Sequence, residues 1–135
     1  MVHSKQWYEN WKPPQPEHNI PTPWHWIVAY PNNLIIGEYV DIGAFTYIMA
    51  QEGIRISDNV EIGSHCSIYS ANTIDNTKGF VDLKENCKIG SHSIILPGVT
   101  IGKNSIVGAF SLVKDDVPDN TMVAGTPAKL INKKT

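Results

Sequence analysis

A period of six residues governs the middle of this chain. Aliphatic residues recur at Ile36, Ile42 and Ile48, then at Ile56, Ile62 and Ile68, then at Leu83, Ile89, Ile95, Ile101, Val107 and Val113. Four positions further on the residue is mostly small or β-branched, as at Val40, Thr46, Val60, Cys66, Ser93, Val99, Ser105, Ser111 and Val117. Glycine directly follows the aliphatic residue at Gly37, Gly43, Gly63, Gly90, Gly102 and Gly108. An α-helix would send residues six apart to nearly opposite sides, and an ordinary strand alternates every two, so neither accounts for the pattern. Short strands that turn after every six residues do account for it. Three of them make one triangular coil, and coils stack at the inter-strand spacing of ~4.8 Å with the aliphatic side chains forming inward ladders. A coil buries its surfaces only against its neighbours, so several are needed, and about four fit here.

The breaks in the period are as informative as the period. The spacing from Ile48 to Ile56 is eight, which predicts that Gln51, Glu52 and Gly53 bulge outward. The spacing from Ile68 to Leu83 is fifteen, which predicts a protruding loop over residues 72–81. Insertions of this kind collect on the binding face of a solenoid. The ends read differently. Residues 1–32 hold all four tryptophans and six of the nine prolines. An open solenoid end exposes apolar surface that must be covered, so this segment is expected to be a cap, with a short helix over residues 4–11; the alternative use of its aromatics is to stack on a sugar. The coils are expected over residues 33–117. Residues 118–135 are expected to form a tail: a turn, an extended piece and a basic end with Lys129, Lys133 and Lys134. All 135 residues form one domain in this reading.

Composition excludes several function classes. The formal net charge of −2 offers no basic footprint for nucleic acid. No stretch approaches the ~20 apolar residues of a membrane span, and the start, MVHSKQWYENWK, lacks the apolar run of a signal peptide, so a cytoplasmic location is expected. Cys66 and Cys87 form no CxxC pair and fall at core positions of the repeat, where a buried thiol is a packing residue and not a nucleophile.

The segment VTIGKNSIVGAFSLVKDDVPDNTMVAGTPAKLI (residues 99–131) resembles the closing segment of hexapeptide-repeat acyltransferases, and IGSHCSIYSANTID and IGSHSIILPGVTIG resemble the coils that precede it. Both breaks in the period also fall where the maltose and galactoside acetyltransferases have theirs. The resemblance spans about residues 34–131. It implies an all-β, left-handed parallel β-helix; the hand comes from the family alone, because general connection rules favour the opposite one. It further implies a homotrimer, acetyl coenzyme A as acyl donor with no metal, and transfer to an amino or hydroxyl group of a nucleotide- or lipid-linked sugar in surface polysaccharide biosynthesis. In the family, coenzyme A lies along a stack of coil corners between two subunits. The matching positions here are Ser91, Ala109 and the neighbouring Phe110 for the pantetheine arm, and Lys114, Pro127 and Lys129 for the nucleotide end, where phosphates want ammonium partners. Gln51 and Glu52 fall where the galactoside enzymes touch the acceptor from a neighbouring subunit.

The chain departs from the family at one place. Maltose-type members carry a catalytic histidine in a stretch like IYTATHPID, where this chain has IYSANTID and Thr73 stands nearest the histidine's place. A sugar hydroxyl needs a base to attack a thioester, whereas a neutral amine needs less help. His65 and His92 each lie three residues after a ladder isoleucine, so they are expected to stack at one corner, with Phe45 below, Phe110 above and Ser91 and Ala109 beside them. They are the candidate bases. Asn72 and Asp75, at the start of the protruding loop, are candidates to polarise the thioester carbonyl and to hold an imidazole or an acceptor amine; a loop turn would use the same residue types. Two rival readings stand beside this one: a trimeric β-helix scaffold without chemistry, and a zinc enzyme like the γ-class carbonic anhydrases. The second needs three protein ligands, and only two histidines lie in the coils.

Overall fold

The computed structural model describes residues 3–133; Lys134 and the side chain of Lys133, part of the expected basic end, lie outside what it describes. The chain winds as a three-sided parallel β-helix, the all-β left-handed solenoid expected from the sequence. One side, the tyrosine face, consists of β1 (Ile27–Ala29), β4 (Tyr47–Met49), β7 (Ser67–Tyr69), β12 (Ile94–Ile95) and β15 (Leu112–Val113), in that order. The arginine face holds β2 (Leu34–Ile36), β5 (Ile54–Ile56), β10 (Val81–Leu83) and β13 (Thr100–Ile101). The glutamate face holds β3 (Asp41–Ile42), β6 (Glu61–Ile62), β11 (Lys88–Ile89), β14 (Ile106–Val107) and β16 (Thr121–Gly125), and β17 (Ala128–Lys133) returns antiparallel to β16.

Every ladder expected from the period is present in register. Ile36, Ile56, Leu83 and Ile101 align on the arginine face. Ile42, Ile62, Ile89 and Val107 align on the glutamate face, and Ile48, Ile68, Ile95 and Val113 on the tyrosine face. Ile48, Ile56, Ile68, Leu83, Ile95 and Ile101 are fully buried; each contributes about 1.5–3 kcal/mol through removal from water. The small positions have a second task. Where the chain turns, the ladder of backbone hydrogen bonds breaks, and buried hydroxyls fill the gap: Thr46 Oγ1 donates to Gly63 O at 2.9 Å, and Ser93 Oγ donates to Gly108 O at 3.1 Å.

The solenoid runs past both expected limits. Val28 of β1, within the expected cap, pairs with Ile48 and is fully buried. Val123 of β16, within the expected tail, pairs with Val107. Six-residue spacing had no purchase there, because β1 follows a Pro-rich segment and β16 follows the turn at Val117–Asn120. The loop expected over residues 72–81 is a two-stranded hairpin, β8 (Ala71–Asn72) and β9 (Thr77–Lys78), and Val81 belongs to the core and not to the loop. The expected helix is α1 (Lys5–Asn10), started by Ser4, whose hydroxyl accepts from the Trp7 amide. Trp11 Nε1 donates to Val40 O at 2.9 Å, and Trp26 is buried, so the aromatics do cover the lower end of the core.

Candidate active site

The corner between the glutamate and tyrosine faces is built by a repeated four-residue turn whose third residue has positive φ. Elsewhere in the fold that position is mostly asparagine, as at Asn59, Asn86, Asn104 and Asn120, which tolerates the left-handed region. At this one corner the occupants are His25, Phe45, His65, His92 and Phe110, with φ between 58° and 68°. Large rings held in this conformation cost on the order of 1 kcal/mol each, and strain of this kind concentrates where function demands it. The rings form one column. His65 and His92 stack with centroids 4.7 Å apart and planes 6° apart; His92 and Phe110 stack at 4.8 Å and 5°. Phe45 lies tilted below His65 at 5.1 Å, and His25 lies below Phe45 at 6.2 Å. Both phenylalanines are about two-thirds exposed, at 65% and 68%.

Ser91 and Ala109 stand immediately beside the imidazoles, as the period implied. The coils touch here: a Cβ built on Gly63 would lie 2.6 Å from Ser91 N, and one on Gly90 would lie 2.5 Å from Ala109 N. Glycine is therefore required before each of these corners. The backbone N–H groups of Ser91 and Ala109 donate to no backbone carbonyl among the described residues, whereas the amides on either side of them, at Gly90, His92 and Phe110, all do. Two amides without a backbone acceptor among the described residues thus stand beside the two imidazoles. Lys129 pairs with Ala124 across β16 and β17, and Ala124 caps the same column above Gly108. Lys129 is exposed and makes no ion pair among the described residues. Pro127 follows the Thr126–Pro127 cis peptide bond at the same end.

The remaining expected site residues lie at a different corner. Gln51, Glu52, Asn72, Asp75 and Lys114 all follow strands of the tyrosine face, so the width of that face separates them from His65 and His92 within one chain. Asn72 Oδ1 accepts from the Ile74 amide, and Asp75 Oδ1 accepts from Thr77 N at 3.2 Å and Thr77 Oγ1 at 2.8 Å, so both shape the hairpin turn. Lys114 is paired with its neighbour Asp115 at 3.1 Å. Backbone contacts pin the Gln51–Glu52 turn (Asn33 Nδ2 to Gln51 O, Glu52 N to Ser70 Oγ) and leave both side chains exposed. The thiols are unsuited to nucleophilic work: burial pushes Cys87 up to about 12 and also raises Cys66, whose sulfur donates to Gly90 O.

Two features escaped sequence reasoning. His25 joins the ring column, although it lies before the first repeat. His3 Nε2 lies 2.8 Å from Glu61 Oε1 and 3.1 Å from Asp41 Oδ2 on the glutamate face, and Lys88 pairs with Glu61 as well. His3 also stacks on Trp7 at 3.7 Å, so this cluster ties the cap to the coils. No spacing in the sequence links position 3 to positions 41 and 61. Neither His3 nor His18 approaches the His65–His92 pair, and Phe45 stands between that pair and His25.

Comparison with known proteins adds an independent finding. Residues 81–115 match the bacterial transferase hexapeptide repeat. A dTDP-4-amino-4,6-dideoxy-D-glucose acyltransferase of Escherichia coli is 30% identical over 116 residues, covering 74% of this chain and 60% of that protein. A hexapeptide-repeat acetyltransferase of Vibrio cholerae, solved with acetyl coenzyme A, superposes with a TM-score of 0.77 at 28% identity, over 82% of this chain and 65% of that one. A maltose O-acetyltransferase of Clostridium difficile gives 0.76 at 30% identity, over 82% and 64%. The chain spans between 26% and 60% of the length of the curated relatives it matches.

Proposed function

This chain is a hexapeptide-repeat protein, and we propose that it is an acyltransferase that moves the acetyl group of acetyl coenzyme A onto an amino or hydroxyl group of a sugar. One observation carries the reading: two stacked imidazoles stand beside two amides without a backbone acceptor, at a corner whose upper end carries Lys129, which makes no ion pair among the described residues. The amides of Ser91 and Ala109 suit the amide-bearing pantetheine arm, and Lys129 suits phosphates. His65 or His92 takes the proton of the attacking acceptor as its nitrogen or oxygen bonds to the thioester carbon. The carbon–sulfur bond then breaks and the proton passes to the departing coenzyme thiolate. No acyl-enzyme is required, in keeping with two buried and protonated thiols. The relatives include an acyltransferase of an amino sugar, dTDP-4-amino-4,6-dideoxy-D-glucose, and a maltose O-acetyltransferase. Loss of the maltose-type histidine near Thr73 favours the amine, which attacks with less help.

The same reading includes a homotrimer. The tyrosine face presents Tyr47, Met49, Tyr69, Ile94, Leu96 and Leu112 outward, an apolar surface of the kind that interfaces cover. If three copies turn this face toward a common axis, the head-to-tail contact sets the imidazole corner of one copy against the hairpin corner of the next. Gln51, Glu52, Asn72, Asp75 and Lys114 would then complete a site that one chain leaves open. Incubation with acetyl coenzyme A and a panel of free and dTDP-linked amino sugars, read by mass spectrometry and thiol release, tests the activity. Acetylated product with stoichiometric free coenzyme A supports it; thiol release that no acceptor stimulates contradicts it.

A further inference from the structure

A cleft of about 530 Å³ lies between α1 and the first coil, within the size range of small-molecule sites. Trp7, Trp11, Trp24 and Trp26 all line it. Three of these rings have a packing role: Trp7 stacks on His3, Trp11 donates to Val40 O, and Trp26 is 3% exposed. Trp24 packs more loosely, with Trp26 as its stacking partner. It is 53% exposed, lies nearly parallel to Trp26 at 15° with centroids 6.5 Å apart, and its indole N–H has no partner among the described residues. Covering the core does not require a tryptophan half in water. Polar side chains from the helix side also line the cleft: Gln6, Asn10 and Lys12 make no hydrogen bond or ion pair among the described residues. Flat aromatic faces rimmed by free amide and ammonium groups suit a ligand with apolar C–H faces and a hydroxyl edge. A lipid chain or an apolar peptide would leave those polar groups unanswered.

Two residues of the cleft lead to the foot of the reactive corner. Trp24 and Trp26 flank His25, the lowest ring of the column, in a turn fixed by His25 N to Thr22 O at 2.9 Å and Thr22 N to Trp26 O at 2.9 Å. From His25 the column passes over Phe45 to His65 in steps of 6.2 Å and 5.1 Å. A chain of sugar units anchored in the cleft can therefore run up the corner to the imidazoles. We infer that this cleft is a saccharide subsite that anchors an oligosaccharide acceptor, with its reactive unit two coils above at His65 and His92. The inference rests on the proposed acyl transfer to sugar and narrows its acceptor to a substrate of several units.

The test titrates the full chain with maltotetraose, cellotetraose and chitotetraose against the matching monosaccharides. Intrinsic tryptophan fluorescence reports binding and coenzyme A calorimetry serves as the control. At least one tetrasaccharide is expected to quench at millimolar concentration or below, with its monosaccharide about tenfold weaker, the scale of one aromatic stacking contact. Trp24→Ala removes that difference while coenzyme A affinity stays unchanged, and Asn10→Ala, on the exposed side of α1, weakens the same tetrasaccharide without touching the core. In turnover, Trp24→Ala raises KM for the tetrasaccharide and leaves kcat and the monosaccharide KM alone. Coenzyme A binding with no tetrasaccharide binding overturns this inference and leaves the transferase reading standing. Tetrasaccharide binding that survives Trp24→Ala and Asn10→Ala overturns it too. Saccharide binding at the cleft without coenzyme A binding upholds the subsite and removes the transferase reading.

Discussion

An alanine at position 90 would place its methyl group 2.5 Å from the Ala109 amide nitrogen and 2.8 Å from Ala109 Cα. Ordinary contact begins near 3.4 Å, so the third and fourth coils must part by about 0.9 Å at the imidazole corner. The atoms in the way are backbone and have no rotamer to change. Overpacking of this kind costs about 1–3 kcal/mol. The loss of glycine's freedom in the unfolded chain returns about 0.4–1 kcal/mol. The net destabilisation of about 1–2 kcal/mol lowers Tm by about 3–10 °C for a chain of this size. Gly102→Ala is the control. Its Cβ would lie 2.4 Å from Asp119 N, so it costs a similar amount through close contact, but at the corner between the arginine and glutamate faces, away from both the imidazole and the hairpin corners. Calorimetry should thus find both variants less stable. Coenzyme A titration should separate them, because only Gly90→Ala moves the Ser91 and Ala109 amides apart. A Gly90→Ala protein as stable as its parent would refute the close-contact argument, and equal coenzyme A affinity in both variants would refute the role given to this corner.

Three further outcomes are expected. Replacing His65 and His92 singly by alanine lowers kcat about 10²–10⁴-fold for the imidazole that takes the proton and much less for its stacking partner, with coenzyme A affinity unchanged in both. Tyr69→Lys, which puts a charge on the tyrosine face, converts a trimer to monomers by analytical ultracentrifugation and abolishes turnover while circular dichroism stays that of the parent. Acid stability depends on Glu61. Burial pushes its carboxyl up, but Lys88 and His3 outweigh that and hold it below the ordinary value. The unfolded chain then takes up the proton first, so the stabilisation is complete above the ordinary carboxylate range and is lost as pH falls through it toward the folded value. Glu61→Gln should flatten this acid limb in thermal melts, and Asp41, raised by burial, acts in the opposite sense.

The parts of this fold readable from sequence are those where one physical rule repeats. The ladders from Ile36 to Val113 follow from period alone, and the register across the 71–80 hairpin held because Ile68 and Leu83 remain on neighbouring faces of the triangle. The stacking of His65 on His92 followed from the same count. The period falls silent where coils lack the repeat's spacing, which hid β1, β16 and the place of His25. It also has nothing to say about contacts made by the cap, such as His3 with Asp41 and Glu61, since these depend on how an irregular segment folds back. Asn72 and Asp75 stand out in the sequence only by residue type next to a break in the period. The structure gives both a turn-forming role and sets them at the corner away from the imidazoles, where only a neighbouring copy could bring them to the reaction.

The most direct test of the account is calorimetric titration with coenzyme A and acetyl coenzyme A, paired with a thermal shift. A ligand that binds only the folded chain stabilises it by ~2.7 kcal/mol at a hundredfold excess over Kd. The account predicts micromolar binding, a matching rise in Tm, and about tenfold weaker affinity in Lys129→Ala, since one charge-assisted contact is worth about 1.5–3 kcal/mol. No binding and no shift at millimolar coenzyme A would contradict the assignment of this corner to acyl transfer.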